Sequence, residues 1–316
     1  MACDPSYPDC IRRRPERGIG AERALLQWVR ADNRCVPADL GSSGQPALTG
    51  LYSLSKHCWA TGSLPLLLTQ KGTLMTITNS QSGTNVHEVA DRIYRINTPV
   101  VIEGAGGFSF NQYLIMDDEP LLFHTGPRKM FPLVREAVGS LLPVESLRYI
   151  GFSHVEADEC GSLNEWLAVA PQAVPLCGTV AAMVSISDLA DRAPRTLADG
   201  ELLLLGKHSV RWLDTPHLPH AWECGFMMEE STRTLLCGDL FTQPGAGEAP
   251  ITDSDILGPS EGFRREMDYF SYTKNARGML DRLAATGPTT LACMHGSAWR
   301  GDGAKLLNAL ADALSK

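Results

Sequence analysis

The stretch SHVEADECGSL, residues 153–163, decides how this chain is read. It follows LRYIGF, an apolar run that reads as a buried strand, and it presents His154, Glu156 and Asp158 within five residues. A strand holds alternate residues on one side. A loop leaving it can therefore carry His154 and Glu156 toward one point while Asp158 reaches slightly past it. That arrangement suits two metal ions better than a solvated face.

Further candidates lie at the ends of other apolar runs. LDTPHLPHAWE brings His217 and His220 into a loop after SVRWLD, TLLCGDLF ends in Asp239, and LACMHGS ends in His295. Each run precedes Gly or polar residues, which is where a sheet edge delivers side chains into a cleft. Bland readings stand beside these. His295 can satisfy a core hydrogen bond, His217 can orient a ligand instead of being one, and Glu159 reads as a solvated or ligand-orienting carboxylate. His124, in LLFHTG, is expected to pack beneath the site, and His57, His87 and His208 are expected at the surface.

The rest of the chain sets the frame. Its 316 residues, 44% hydrophobic and 20% charged, can bury a sizeable core. The net charge of −8 carries no basic stripe, so a nucleic-acid partner is not expected. No apolar run approaches the roughly 20 residues of a bilayer span, and MACDPSYPDCIRRRPERG lacks the apolar centre of a secretory signal. The expectation is a cytoplasmic protein without a membrane partner. The nine cysteines show no CxxC pair and are expected as thiols.

Residues 1–85 mix Pro, Gly, Ser and Arg with short apolar patches and read as a weakly structured extension with one short helix near 21–30. Residues 86–316 read as one domain. DRIYRI, FNQYLIM, PLLFHT, LRYIGF and AVPLCG are expected strands, joined by helices over KMFPLVREAVGSLL, SLNEWLAVA and TVAAMVSISDLA. A second strand group, ELLLLG, SVRWLD, CGFMMEE and TLLCGD, leads to a long helix over FRREMDYFSYTKNARGMLDRLAATG, the strand TTLACMH and a last helix, KLLNALADAL. Two strand groups, each followed by helices, predict an α/β four-layer sandwich.

The order HxExD, His, Asp, His, with TP before the middle histidine and GD in the aspartate segment, resembles the metallo-β-lactamase superfamily. It is most similar to the diiron core of flavodiiron proteins and to stand-alone oxygen-binding diiron proteins. The resemblance covers roughly residues 88–316. It implies that His154, Glu156 and His220 hold one metal, that Asp158 and His295 hold a second, and that Asp239 bridges them. Glu156 stands where zinc hydrolases of the superfamily usually carry His. A hard oxygen donor there moves the preference to iron, with zinc or manganese as alternatives.

The chain departs from the diiron pattern directly after Asp158, where many members carry a histidine and this one carries Glu159. Either Glu159 binds, or His217 substitutes, or the second metal keeps an open position.

Two function classes follow. In the first, a metal-bridging hydroxide, placed by Asp158 and Asp239, attacks an ester, phosphoester or phosphotriester. In the second, a flavin-free diiron protein binds or reduces dioxygen or nitric oxide. Only about twenty residues follow His295, too few for a flavin-binding domain, so reduction requires an external electron donor. On that ground, and because a solvated Glu159 leaves the second metal an open position, the hydrolase is the first expectation. Tyr269, Phe270, Tyr272, Trp222 and Phe152 are candidates for aromatic walls, although each such residue is more often core than lining, and the 244–262 insertion is expected to help shape the cleft. A homodimer is compatible with the resemblance.

Overall fold

Strand alternation and one apolar face per helix are enough to build four layers from this chain. The computed structural model describes residues 66–68, 74–102, 106–247 and 249–315. Apart from Ile102 and Gly106, these belong to one compact unit. A nine-stranded sheet runs in sequence order: β1 (Leu66–Leu68), β2 (Leu74–Asn79), β3 (Thr84–Ala90), β4 (Ile93–Ile102), β5 (Gly106–Ile115), β6 (Leu121–Phe123), β7 (Tyr149–Gly151), β8 (Val174–Gly178) and β9 (Arg195–Leu197). A seven-stranded sheet holds β10 (Leu202–Leu204), β11 (Ser209–Asp214), β12 (Gly225–Glu229), β13 (Thr234–Leu236), β14 (Ile251–Thr252), β15 (Thr290–Ala292) and β16 (Ala298–Arg300), with β15 and β16 between β13 and β14.

The inner faces of the two sheets meet in one apolar layer. Ile93, Tyr113, Leu121 and Phe123 from the first sheet pack with Val210, Trp212, Met227 and Leu236 from the second. The outer face of the first sheet is covered by helices Phe131–Gly139 and Leu163–Val169, through Val134, Val138, Trp166 and Leu167. The outer face of the second is covered by helices Ala276–Ala285 and Gly303–Leu314, through Leu280, Leu283, Leu307 and Leu310. Full burial of each such side chain contributes roughly 1.5–3 kcal/mol. The α/β four-layer sandwich is therefore the observed fold.

Some expectations change. The long helix over 263–287 is two helices, Leu257–Met267 and Ala276–Ala285. Asp268 ends the first with φ 52°, its N–H donating to the Arg264 carbonyl, and a short polar residue tolerates that left-handed turn better than a branched one. The periodic apolar pattern persists across the break, so periodicity alone does not show it. His87 and His208 are buried. His208 Nδ1 lies 3.0 Å from the Glu229 carboxylate, and His87 faces Arg95 across β3 and β4. The expected surface position of His57 and the helix near 21–30 lie outside the described residues. Strands β1 and β2 fall upstream of residue 86, the start expected for the domain. Among the described residues, five cysteines are free thiols, and no helix is long and apolar enough to cross a membrane.

Candidate metal centre

Strand order and register explain why distant residues meet. β13 and β15 are parallel neighbours with Leu236 opposite Ala292. Asp239 and His295 each stand three residues past that pair, so they leave the sheet side by side. Gly238 makes the Asp239 turn possible, with φ 48° and a Cβ position that would lie 2.9 Å from Ser153 Oγ. β7 lies between the parallel strands β6 and β8 and releases residues 152–156 at the matching edge of the other sheet. The short helix Ala157–Cys160 then places Asp158 and Glu159 in its first turn. His220 comes from the loop after β11, where the Thr215 N–H donates to Cys224 O and Ser271 N–H to Pro219 O.

The side chains form two groups. His154, Glu156, His220 and Asp239 present one donor atom each to a common point, and Asp158, Glu159 and His295 present theirs to another. In the first group, His220 Nε2 is 2.9 Å from both His154 Nε2 and Glu156 Oε2, and His154 Nε2 is 3.1 Å from Glu156 Oε2. Asp239 divides its two oxygens between the groups. Its Oδ2 lies 3.7 Å from His154 Nε2 and 3.5 Å from His220 Nε2, whereas its Oδ1 lies 3.3 Å from His295 Nε2. Asp158 Oδ2 is likewise 3.3 Å from His295 Nε2.

Hydrogen bonds behind the rings fix which nitrogen faces the centre. His295 Nδ1 donates to the Ser109 carbonyl at 2.8 Å, leaving Nε2 to point inward. His154 Nδ1 meets Ser153 Oγ at 2.9 Å, and the same hydroxyl meets His124 Nε2 at 3.0 Å. Burial pushes His124 down to about 3, so it stays neutral and serves as a partner to Ser153. His124 thus sits under the site as expected.

Glu159 is the main correction. It is fully buried, not solvated. Burial and the charges of Asp158 and Asp239 hold its carboxyl well above the usual carboxylate range. Neither of its oxygens has a hydrogen-bond partner among the described residues, and Oε2 lies 3.9 Å from His154 Nε2. A buried carboxylate left without donors is costly unless a cation completes it. The remaining shifts agree. Burial would lower His295, but Asp158 and Asp239 raise it to about 10, and at His154 burial is outweighed by Glu159, Cys224 and Glu156 together, so that ring stands well above 6.5. Hydrogen bonds from His154 and His220 pull Glu156 down to about 2. Burial of Asp239 is outweighed by the three histidines, and its carboxyl falls below the usual range.

His217 does not take part. It is exposed, with φ 64°, and lines a separate surface cavity with Leu218, Phe270 and Tyr272. The aromatic surroundings also differ from expectation. Phe108 stacks on His295 at 4.4 Å between centroids, Phe110 meets the same ring edge-on at 5.4 Å, and Phe263 stacks on Phe108 at 5.8 Å. Of the expected walls, Tyr269 approaches His220 at 5.9 Å. Phe152 and Phe270 are core, and Trp222 and Tyr272 are exposed. Phe108 and Phe110 sit on one face of β5 by strand alternation, which is the signal that could have found them.

A family model described as ODP family beta lactamase matches residues 108–296, more than half the chain. This chain belongs to that family. Among curated relatives, the anaerobic nitric oxide reductase flavorubredoxin of Pectobacterium atrosepticum is 26% identical over 242 residues, 71% of this chain and 46% of that protein. Among solved structures, rubredoxin oxygen:oxidoreductase from Desulfovibrio gigas has a TM-score of 0.61 at 18% identity, over 72% of this chain and 61% of the other. The flavodiiron protein from Giardia intestinalis has a TM-score of 0.63 at 20% identity, over 73% of this chain and 59% of the other. These structures share the metallo-β-lactamase fold seen here. The chain spans about a third to a half of the length of the curated relatives it matches.

The comparisons overturn the hydrolase expectation, because these relatives are named as reductases and oxidoreductases. The physical premise fails as well. One of the two grounds for a hydrolase is that a solvated Glu159 leaves the second metal open, and Glu159 is instead buried against the cluster.

Proposed function

We propose that this ODP-family domain holds a pair of iron ions and binds or reduces dioxygen or nitric oxide. One observation carries the reading: Asp239 faces both donor groups at once, one oxygen toward each. His154, Glu156 and His220 would hold one ion with Asp239, and Asp158, Glu159 and His295 the other. The four carboxylates of the seven side chains balance the charge of two divalent cations, and their hard oxygens with imidazole nitrogens suit iron over zinc. Two adjacent ferrous ions would supply the electrons and open positions that a diatomic gas requires.

The protein residues have their own tasks. Ser153 and the Ser109 carbonyl orient the two histidines through their Nδ1 atoms. Phe108, Phe110 and Phe263 place apolar rings against the His295 side, which admits a small neutral gas more readily than a charged ester. Electrons to return the pair to the ferrous state would come from a separate donor protein or domain.

The test is iron analysis of purified protein followed by anaerobic reduction and addition of nitric oxide or dioxygen. Two irons per chain and gas uptake on an electrode are expected. Protein that retains two irons, is fully reduced and leaves both gases unconsumed and unbound would refute the reading.

A further inference from the structure

Behind His295 the interior contains a charge with no ion-pair partner among the described residues. Arg95 on β4 is fully buried, and its Nε and Nη1 have no hydrogen-bond partner among the described residues. The groups acting on its charge are Tyr113 and Cys293, not a carboxylate. Burial lowers it to about 10, which still leaves a cation at neutral pH. An uncompensated buried guanidinium is expensive. Its retained contacts therefore show where it acts.

Those contacts converge on the turn that carries His295. Arg95 Nη2 donates to the Gly296 carbonyl at 2.8 Å and to the Gly247 carbonyl at 3.0 Å. Asn111 Nδ2 donates to the same Gly296 carbonyl at 2.8 Å and to Cys293 O at 2.9 Å, and Tyr113 Oη donates to Cys293 O at 2.8 Å. Asn97 holds Asn111 in turn, through Nδ2 to Oδ1 at 2.8 Å. Carbonyls on both sides of His295 are thus pinned by side chains of β4 and β5. The Gly296 N–H is pinned by Ser109 Oγ at 3.0 Å, next to the carbonyl that receives His295 Nδ1.

We propose that Arg95 is a positioning residue for the second metal-ion site: through the Gly296 carbonyl it fixes the turn after β15 so that His295 Nε2 faces Asp158 and Asp239. The inference rests on the dinuclear reading above. Among the described residues, Arg95 makes no hydrogen bond or ion pair to a candidate ligand side chain, and its bonds to the Gly247 and Gly296 carbonyls do not reach the His154, Glu156 and His220 group. Its loss should therefore split the two sites, whereas a merely structural role would weaken them together.

The experiment is a cobalt(II) titration of the full, metal-free chain, followed by visible absorption and by elemental analysis of bound metal. The unaltered chain should take two equivalents. Arg95→Met should keep one equivalent and bind the second on the order of 10- to 100-fold more weakly, and Arg95→Lys, which keeps a buried donor, should recover part of that loss. Asn111→Ala removes two donors to the same turn and should act in the same direction; it decides the matter if Arg95→Met does not fold. Unchanged binding of both equivalents in the folded variants, or equal weakening of both ions, would overturn the inference. A second equivalent missing from the unaltered chain would instead overturn the dinuclear reading, and the two failures are distinguishable.

Discussion

The two donor groups differ in their exposure more than in their chemistry. Around Glu156 and His220 the centre opens outward: the Glu156 side chain is 52% exposed and that of His220 22%, with His154 buried behind them. Around His295 it is more closed, with Glu159 at 0%, His295 at 5% and Phe108 stacked on the imidazole, and only Asp158, at 19%, reaches solvent. One side resembles an entrance and the other a floor. Donors at the entrance can be hydrated without metal, whereas Glu159 on the floor has neither water access nor a hydrogen-bond partner among the described residues. The buried side therefore depends more heavily on a cation.

The shared carboxylate offers the largest way to break this contrast. Asp239→Ala removes a donor from both groups, and loss of both metals is expected by elemental analysis after desalting. Next in size is a paired comparison. Glu159→Gln, which keeps the shape but not the charge of a buried group, should release the ion on the His295 side. Glu156→Gln, at the exposed rim, should weaken only the other ion and by less. Equal effects of the two substitutions would erase the distinction between floor and entrance.

A pH series sharpens the same contrast. In the metal-free chain His295 stands at about 10 and His154 well above 6.5, so both rings are protonated at neutral pH. Metal must displace those protons, so loading should release protons and apparent affinity should rise with pH. The sign for stability is the opposite in the metal-free chain. A histidine raised above its unfolded value contributes stability that is fully present below about 6.5 and lost as pH rises through its folded value. The gain in melting temperature on adding metal should accordingly be larger at pH 8.5 than at pH 6, by differential scanning calorimetry. Smallest is Ser153→Ala, which removes the hydroxyl between His154 and His124. A fall of about 10-fold in metal affinity is expected on the entrance side, measured by chelator competition.

Much of this was legible in the sequence because the ligands sit at strand exits, where a local apolar run and the residues just past it suffice. The parallel register of β13 and β15 converts those local signals into proximity for Asp239 and His295. What was not legible depends on long-range packing. Burial of Glu159 follows from a helix turn held by the Thr125 N–H on the Glu159 carbonyl, 34 residues upstream. The Phe108–Phe263 stack joins residues 155 positions apart. His217 reads in the sequence as either a ligand or a residue that orients one, and it is neither: its backbone is left-handed, with φ 64°, and its side chain is exposed. A solvated Glu159 leaves the second metal open, and that reading is one of the two grounds of the hydrolase expectation.

The most direct test of the shared-carboxylate centre is anomalous diffraction at the iron edge from crystals of the iron-loaded chain. Two peaks separated by roughly 3.5–4 Å, with one Asp239 oxygen directed at each, are predicted. A single peak, or two peaks with Asp239 turned toward only one of them, would contradict the account.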